Sequence, residues 1–159
     1  FAEHLIRTML DTFDRRITAD IRAGIGAQGL NMRQAIILAS ITQKEVPEPE
    51  VQRTVAQVFI SRLKQGIVLG SDVTYMYAAA LSDEAATPAL NSPYNTRRVQ
   101  GLPPTAISNF NLSALQAVAN PTKTDYLYFV AGDDGTTHFS RTLAEYEAFV
   151  QKYCTKLCN

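Results

Sequence analysis

The segment from Asn31 to Pro47 constrains this chain more tightly than any other. Asn31 can cap a helix, and Gln34, three residues on, completes a capping box that marks the helix start. The apolar run Ala35-Ile36-Ile37-Leu38-Ala39 follows, and it demands burial. Pro47 biases Val46 away from the helical region, which ends the helix around Lys44 to Val46. A helix so bounded, with an apolar body, must sit inside a packed fold. Even extended to Ile41, its apolar stretch is far shorter than the roughly 20 residues that cross a bilayer.

Composition supplies the material for that packing. The chain has 159 residues, 46% apolar and 19% charged. That length suits one domain, and disorder, which goes with low hydrophobicity and high net charge, is excluded. Lys and Arg number 15, as do Asp and Glu. A nucleic-acid protein held by a broad basic face is therefore excluded, as is a polybasic membrane patch. Two His, two Cys and no Trp rule out a disulfide scaffold and argue against a His/Cys zinc site. No metal and no cofactor are expected. Nothing at the amino terminus has the form of a signal peptide, and the chain opens on Phe1, as a fragment of a longer protein would.

Periodicity predicts further helices around the central one. Ala2, Leu5, Ile6, Met9, Leu10 and Phe13 recur at spacings of three and four, an amphipathic helix over Phe1 to Arg15. The looser stretch with Gly24, Gly26 and Gly29 leaves room for a short helix from Thr18. Pro49 suits a first helical turn. Val51, Val55, Val58, Phe59 and Leu63 keep the helical period, and Gly66 suits the C′ position. Ile67-Val68-Leu69 reads as a short strand, and Ser71 or Asp72 can cap a helix through Leu81.

From Ser82 to Asn111, Pro88, Pro93, Pro103 and Pro104 impose a long loop, of the kind that is either functional or disordered. Tyr94 and Leu102 point to packing there. A short helix from Asn111 to Ala119 stops at Asn120-Pro121. Tyr126 to Val130 is the clearest strand, and Asp133-Asp134-Gly135 turns it back through Thr136 to Phe139. Thr142 and Glu145 form the capping box of a last helix, with Leu143, Tyr146, Phe149, Val150 and Tyr153 on one face. The fold class is α+β: a predominantly helical single domain with a small antiparallel β-hairpin.

Candidate chemistry is sparse. There is no Gly-x-Ser-x-Gly elbow and no Gly-rich phosphate loop, and His4 and His138 read as structural or surface residues. Glu45 stands apart. Gln34, Leu38, Ile41 and Glu45 align at spacings of four, three and four, so a carboxylate closes an apolar stripe. It also lies in the last helical turn, where the macrodipole is negative. Burial and that dipole both disfavour ionisation, and an acid still protonated near neutrality can cleave a glycosidic bond. Position alone equally describes a solvated helix-end glutamate, which is its first reading.

Asp72, in Gly70-Ser71-Asp72-Val73-Thr74, reads as a helix cap. Tyr75, Tyr77 and Tyr94 fit core aromatics or sugar-stacking rings. Tyr94-Asn95-Thr96 offers the hydroxyl and amide groups that a polar, uncharged ligand needs, with no evident role in a core. Cys154 and Cys158 read first as two thiols near the chain end, a local disulfide or intermolecular pairing being the lesser alternatives.

The blocks carrying these residues resemble the catalytic domain of the endolytic murein transglycosylases, the YceG-like family. The matching text includes Leu38-Ala39-Ser40-Ile41-Thr42-Gln43-Lys44-Glu45, Leu69-Gly70-Ser71-Asp72-Val73-Thr74, Ser92-Pro93-Tyr94-Asn95-Thr96, Gly101-Leu102-Pro103-Pro104 and Thr124-Asp125-Tyr126-Leu127-Tyr128-Phe129-Val130. Several separated blocks in order are far more specific than one short motif. The resemblance implies a catalytic domain at residues 31–159 behind an amino-terminal helical lead-in at 1–30. That unit would be the carboxy-terminal part of a longer protein, anchored in the cytoplasmic membrane by one amino-terminal helix absent from this chain. It implies extracytoplasmic action in the cell envelope, peptidoglycan glycan strands as substrate, cell-wall synthases as candidate partners and no nucleic acid.

The implied reaction cuts nascent strands between N-acetylmuramic acid and N-acetylglucosamine, leaving 1,6-anhydro-N-acetylmuramic acid ends. The family's catalytic glutamate, the second acid of a Glu-Lys-Glu triplet, falls on Glu45. The expected substrate-binding residues are Gln43, Asp72, Thr74, Tyr77, Tyr94 and Asn95. Three departures stand out: Gln43 replaces the first acid of the triplet, Val73 replaces a proline, and the segment from Ala78 to Asn91 is short. Ordinary glycosidases need two carboxylates, whereas here the sugar's own 6-hydroxyl is the nucleophile and one acid serves. The alternatives are a lysozyme-like hydrolase using Glu45 and Asp72, or a non-catalytic peptidoglycan-binding module. An extracytoplasmic site also turns the expectation for the two cysteines toward oxidation, provided the helix end frays to meet disulfide geometry.

Overall fold

The helix marked by Asn31 and Pro47 forms as its ends dictate. In the computed structural model, which describes residues 1–158, it is α3, Met32–Glu45. Asn31 and Gln34 exchange backbone-to-side-chain bonds of 2.9 Å each, closing the capping box. Before it lie α1 (Ala2–Arg16) and α2 (Ala19–Ala27); after it come α4 (Pro49–Gln65), α5 (Asp72–Ser82) and α6 (Leu112–Ala119). The chain ends with β1 (Tyr128–Ala131), β2 (Thr137–Ser140) and α7 (Leu143–Tyr153).

The core forms where α3, α4 and α6 pack together and α2 closes on α6. Leu38 and Ile41 of α3, Val55 and Phe59 of α4, and Leu115 and Val118 of α6 are at most 1% exposed. Burying each such side chain contributes about 1.5–3 kcal/mol. Gly24 is where α2 meets α6: a Cβ there would sit 2.6 Å from the Ala119 carbonyl oxygen. Core packing starts before residue 31, because Ile17, Ile21 and Ile25 join the same buried cluster. By contrast α1 buries no residue, and Leu5, Ile6, Met9 and Leu10 of its apolar stripe are exposed.

Strand pairing is antiparallel, with Tyr128 opposite Ser140 and Ala131 opposite Thr137. The strand expected from Tyr126 begins two residues later, although the Leu127 N–H already donates to Ser140 O at 3.0 Å. Ile67-Val68-Leu69 is not a strand. The carbonyls of Val68 and Leu69 accept from the Arg62 guanidinium at 3.0 and 3.2 Å, so a side chain occupies the place of a partner strand. α7 packs on β1 and β2, and β1 packs on α4. Its helix stops at Tyr153, and Cys154, now outside helical geometry, is bonded to Cys158. Asp133 in the hairpin turn accepts from the backbone N–H groups of Thr155, Lys156 and Leu157, tying this closed loop to the hairpin. No helix of the described residues is long and apolar enough to cross a membrane.

Candidate active site

A cleft of about 1080 Å³ runs between two walls. One is formed by the end of α3 and the start of α5, with Glu45, Asp72 and Arg97; the other by the hairpin and α7, with Tyr128, Tyr146 and Glu147. Its volume is just above the ~300–1,000 Å³ typical of ligand sites.

Glu45 is half-buried, and the Ser71 hydroxyl donates to its Oε1. Ser71 occupies the N-cap position of α5 but makes no capping bond, because its side chain is turned to Glu45 instead. A buried lattice of hydroxyls holds it there. Ser71 N–H donates to Thr96 Oγ1 at 3.1 Å, Thr74 Oγ1 donates to Ser71 O at 2.6 Å, and the two threonine hydroxyls are 2.9 Å apart. The turn that delivers Ser71 requires Gly70, whose φ is +69°. Behind Glu45, the wholly buried Gln52 donates from Nε2 to Val46 O at 3.0 Å, fixing the chain just past the acid.

The environment holds the Glu45 pKa above the ordinary carboxylate value. Burial is the largest cause, and the nearby Asp72 charge adds to it; the Ser71 hydrogen bond and Arg97 pull the other way. Asp72 and Arg97 form an ion pair at the cleft edge, both partly exposed. Arg62 lies deeper. Its Nε donates to Leu127 O at 2.6 Å, its Nη1 reaches the Val68–Leu69 carbonyls, and its plane lies 4.8 Å from the Tyr128 ring centroid. It thus joins the two walls across the cleft floor.

The residues expected to bind substrate fall in different places. Asp72 lines the cleft beside Glu45. Thr74 is fully buried under it, in the hydroxyl lattice. Asn95 is fully buried too: its Nδ2 donates to Pro88 O at 2.9 Å and Leu90 O at 2.8 Å, and its Oδ1 accepts from Arg97 N–H at 3.1 Å. This corrects the expectation that the loop's polar groups lack a core role. Asn95 organises the proline-rich loop, which has no backbone ladder of its own. Tyr77 and Tyr94 pack on each other, centroids 5.2 Å apart, and the Tyr94 hydroxyl pairs with Thr105. Gln43 accepts from Asn111 N–H at 2.9 Å and steadies the entry to α6. Neither Gln43, Tyr77 nor Tyr94 lines the cleft.

Sequence reasoning missed Ser71 as a partner of the acid, Arg62, Arg97 and the α7 wall. Only α7 carried a signal, the face that includes Leu143, Tyr146 and Val150. Among the described residues no group of three or more His, Cys, Asp or Glu is placed to hold a metal.

The profile of the YceG-like family matches residues 1–152. The chain belongs to that family. Among its YceG-like relatives, the endolytic murein transglycosylase of Bacillus subtilis (strain 168) is 35% identical over 78% of this chain. A protein of the same name from Streptococcus pneumoniae (serotype 2, strain D39) is 27% identical over 99% of it. A crystallised yceG-like protein of Listeria monocytogenes superposes with a TM-score of 0.80 over 94% of this chain, at 35% identity. The chain spans 35% and 30% of the two curated relatives' lengths and 50% of the crystallised chain.

Proposed function

We propose that this YceG-like domain is a lytic transglycosylase of peptidoglycan, cutting glycan strands between N-acetylmuramic acid and N-acetylglucosamine with Glu45 as acid and then base. The observation that carries this reading is Glu45 itself: a half-buried glutamate, its pKa raised, fixed by Ser71 and open to a cleft large enough for an oligosaccharide. Glu45 in its protonated form gives its proton to the glycosidic oxygen as the C1–O bond breaks. The resulting carboxylate stands beside the developing oxocarbenium ion, which it stabilises. It then takes the proton of the muramic 6-hydroxyl as that oxygen bonds to C1. The ring closes to the 1,6-anhydro product, and Glu45 is again protonated.

Asp72 does not serve as a second catalytic carboxylate in this reading. Its charge is directed to Arg97, and it acts on Glu45 through space. Nothing in the reaction requires a metal. Action outside the cytoplasm is part of the proposal, and the Cys154–Cys158 bond accords with an oxidising compartment. Association with cell-wall synthases and anchoring by an amino-terminal helix belong to the same proposal for the longer protein.

The test is digestion of peptidoglycan strands in heavy-oxygen water, followed by mass spectrometry. Anhydro ends free of solvent oxygen are expected. Labelled reducing ends would replace this reading by the hydrolase, and strand binding without any product would replace it by the binding module.

A further inference from the structure

α7 turns a continuous face to the cleft. Leu143, Tyr146, Glu147, Val150 and Gln151 follow one another at spacings of three, one, three and one, a single helical stripe, and all five line the cleft. The apolar members of such a stripe ordinarily enter a core. Here no residue of α7 is buried, while Phe149 and Tyr153 pack on His138 instead. The stripe combines half-buried Tyr146 and Val150 with exposed Glu147 and Gln151, neither of which hydrogen-bonds another described side chain. Tyr146 packs on Tyr128, with ring centroids 5.7 Å apart, and Tyr128 is itself backed by Arg62. The stripe lines the same cleft as Glu45, Asp72 and Arg97, which belong to the wall that bears the acid.

We propose that Tyr146, Glu147 and Gln151 form a saccharide subsite that holds an N-acetylated pyranose next to the bond Glu45 protonates. The chemistry matches such a ring part by part. The C–H face of a pyranose packs on an aromatic ring held rigid by its neighbours. A carboxylate and a carboxamide one helical turn apart bind hydroxyl and amide groups along the sugar's edge. Val150, between them, suits the acetamido methyl. The proposal rests on the reading of the cleft as a glycan site, and it adds the residues that grip the strand.

The probe is the β-1,4-linked tetramer of N-acetylglucosamine, titrated by NMR into the Glu45→Gln protein, which cannot turn it over. In that background Tyr146→Ala should weaken binding about tenfold, the scale of one aromatic contact, and Gln151→Ala about threefold. Lys152→Ala, adjacent in sequence but outside the stripe, should bind as the parent does. Gln151 is exposed, so its variant reports independently of any folding defect in Tyr146→Ala. Unchanged affinity in both stripe variants overturns the subsite, as does failure of the parent to bind the tetramer. Failure of the functional reading has a separate signature: solvent-labelled ends, or none, from the wild type, with the contrast between stripe and control variants intact.

Discussion

On the α3–α5 side of the cleft, Ser71, Thr74, Asn95 and Thr96 direct their polar atoms to one another, to backbone and, in the case of Ser71, to Glu45. On the α7 side, Glu147 and Gln151 extend into the cleft from exposed positions. The first wall is fixed from within. The second is open to whatever enters. Proton transfer needs an acid held within hydrogen-bond tolerance, and buried, mutually satisfied hydroxyls provide that rigidity. A binding wall needs groups not already engaged. Under the proposed reaction, one cleft divides these requirements between two parts of the chain.

The largest expected effect tests the rigid wall. Glu45→Gln keeps the side chain's size and its acceptor for Ser71 but cannot supply a proton, so turnover should fall by about 100-fold or more. Thermal stability should hold or rise, and the sign follows from linkage. Because the folded-state pKa is raised, the unfolded chain ionises first as pH climbs above the ordinary value of 4.5, and each further step up to the folded pKa costs stability. The variant's advantage should therefore be present at neutral pH and vanish below that value. Thermal melts at the two pH values check this, and a variant that retains turnover would remove Glu45 from the mechanism.

Next comes Asn95→Ala, which strikes the support of the same wall. Loss of a fully buried amide that holds two carbonyls should cost about 2–3 kcal/mol, or several degrees in Tm for a domain of this size. A melt unchanged from wild type would mean the loop is held by other contacts. The α7 stripe offers the contrast: Gln151→Ala should leave the melt within about 0.5 kcal/mol of wild type, as exposed positions do.

A smaller effect separates the groups around the acid. Ser71→Ala removes a donor that favours the carboxylate, so the alkaline limb of the pH–rate profile should move to higher pH, with turnover down about tenfold or less. Asp72→Asn removes a neighbouring negative charge and frees Arg97, so the same limb should move to lower pH. Shifts in one direction for both variants would contradict the arrangement. Smallest of all is reduction of Cys154–Cys158. The bond closes only a four-residue interval, and Asp133 holds the same loop, so the loss should stay below about 2 kcal/mol.

The rigid wall was the more legible in the sequence. Asn31, Gln34 and Pro47 bound α3 through local rules, and the stripe through Leu38 and Ile41 carried Glu45 to its position. Ser71 was legible as a cap and illegible as the acid's partner, because the bond spans 26 residues and no periodicity encodes it. Asn95 and Tyr94 were read as ligand groups because a proline-rich loop gives no sign of which amides it buries. On α7 the helix, its capping box and an apolar face were read correctly, but nothing in the sequence marked what that face meets. Hydrophobic period reports that a face is covered by something, and protein and ligand satisfy it alike.

The attachment of the second wall has a consequence for motion. α7 rests on the hairpin, and the hairpin reaches the helical body through β1 on α4 and through the Arg62 guanidinium. Local opening free energies scale with such attachments. Backbone amides of β1, β2 and α7 should therefore exchange with solvent deuterium well before those of α3, α4 and α6. Because α7 is carried chiefly by the hairpin, the width of the cleft follows the hairpin rather than the helical core.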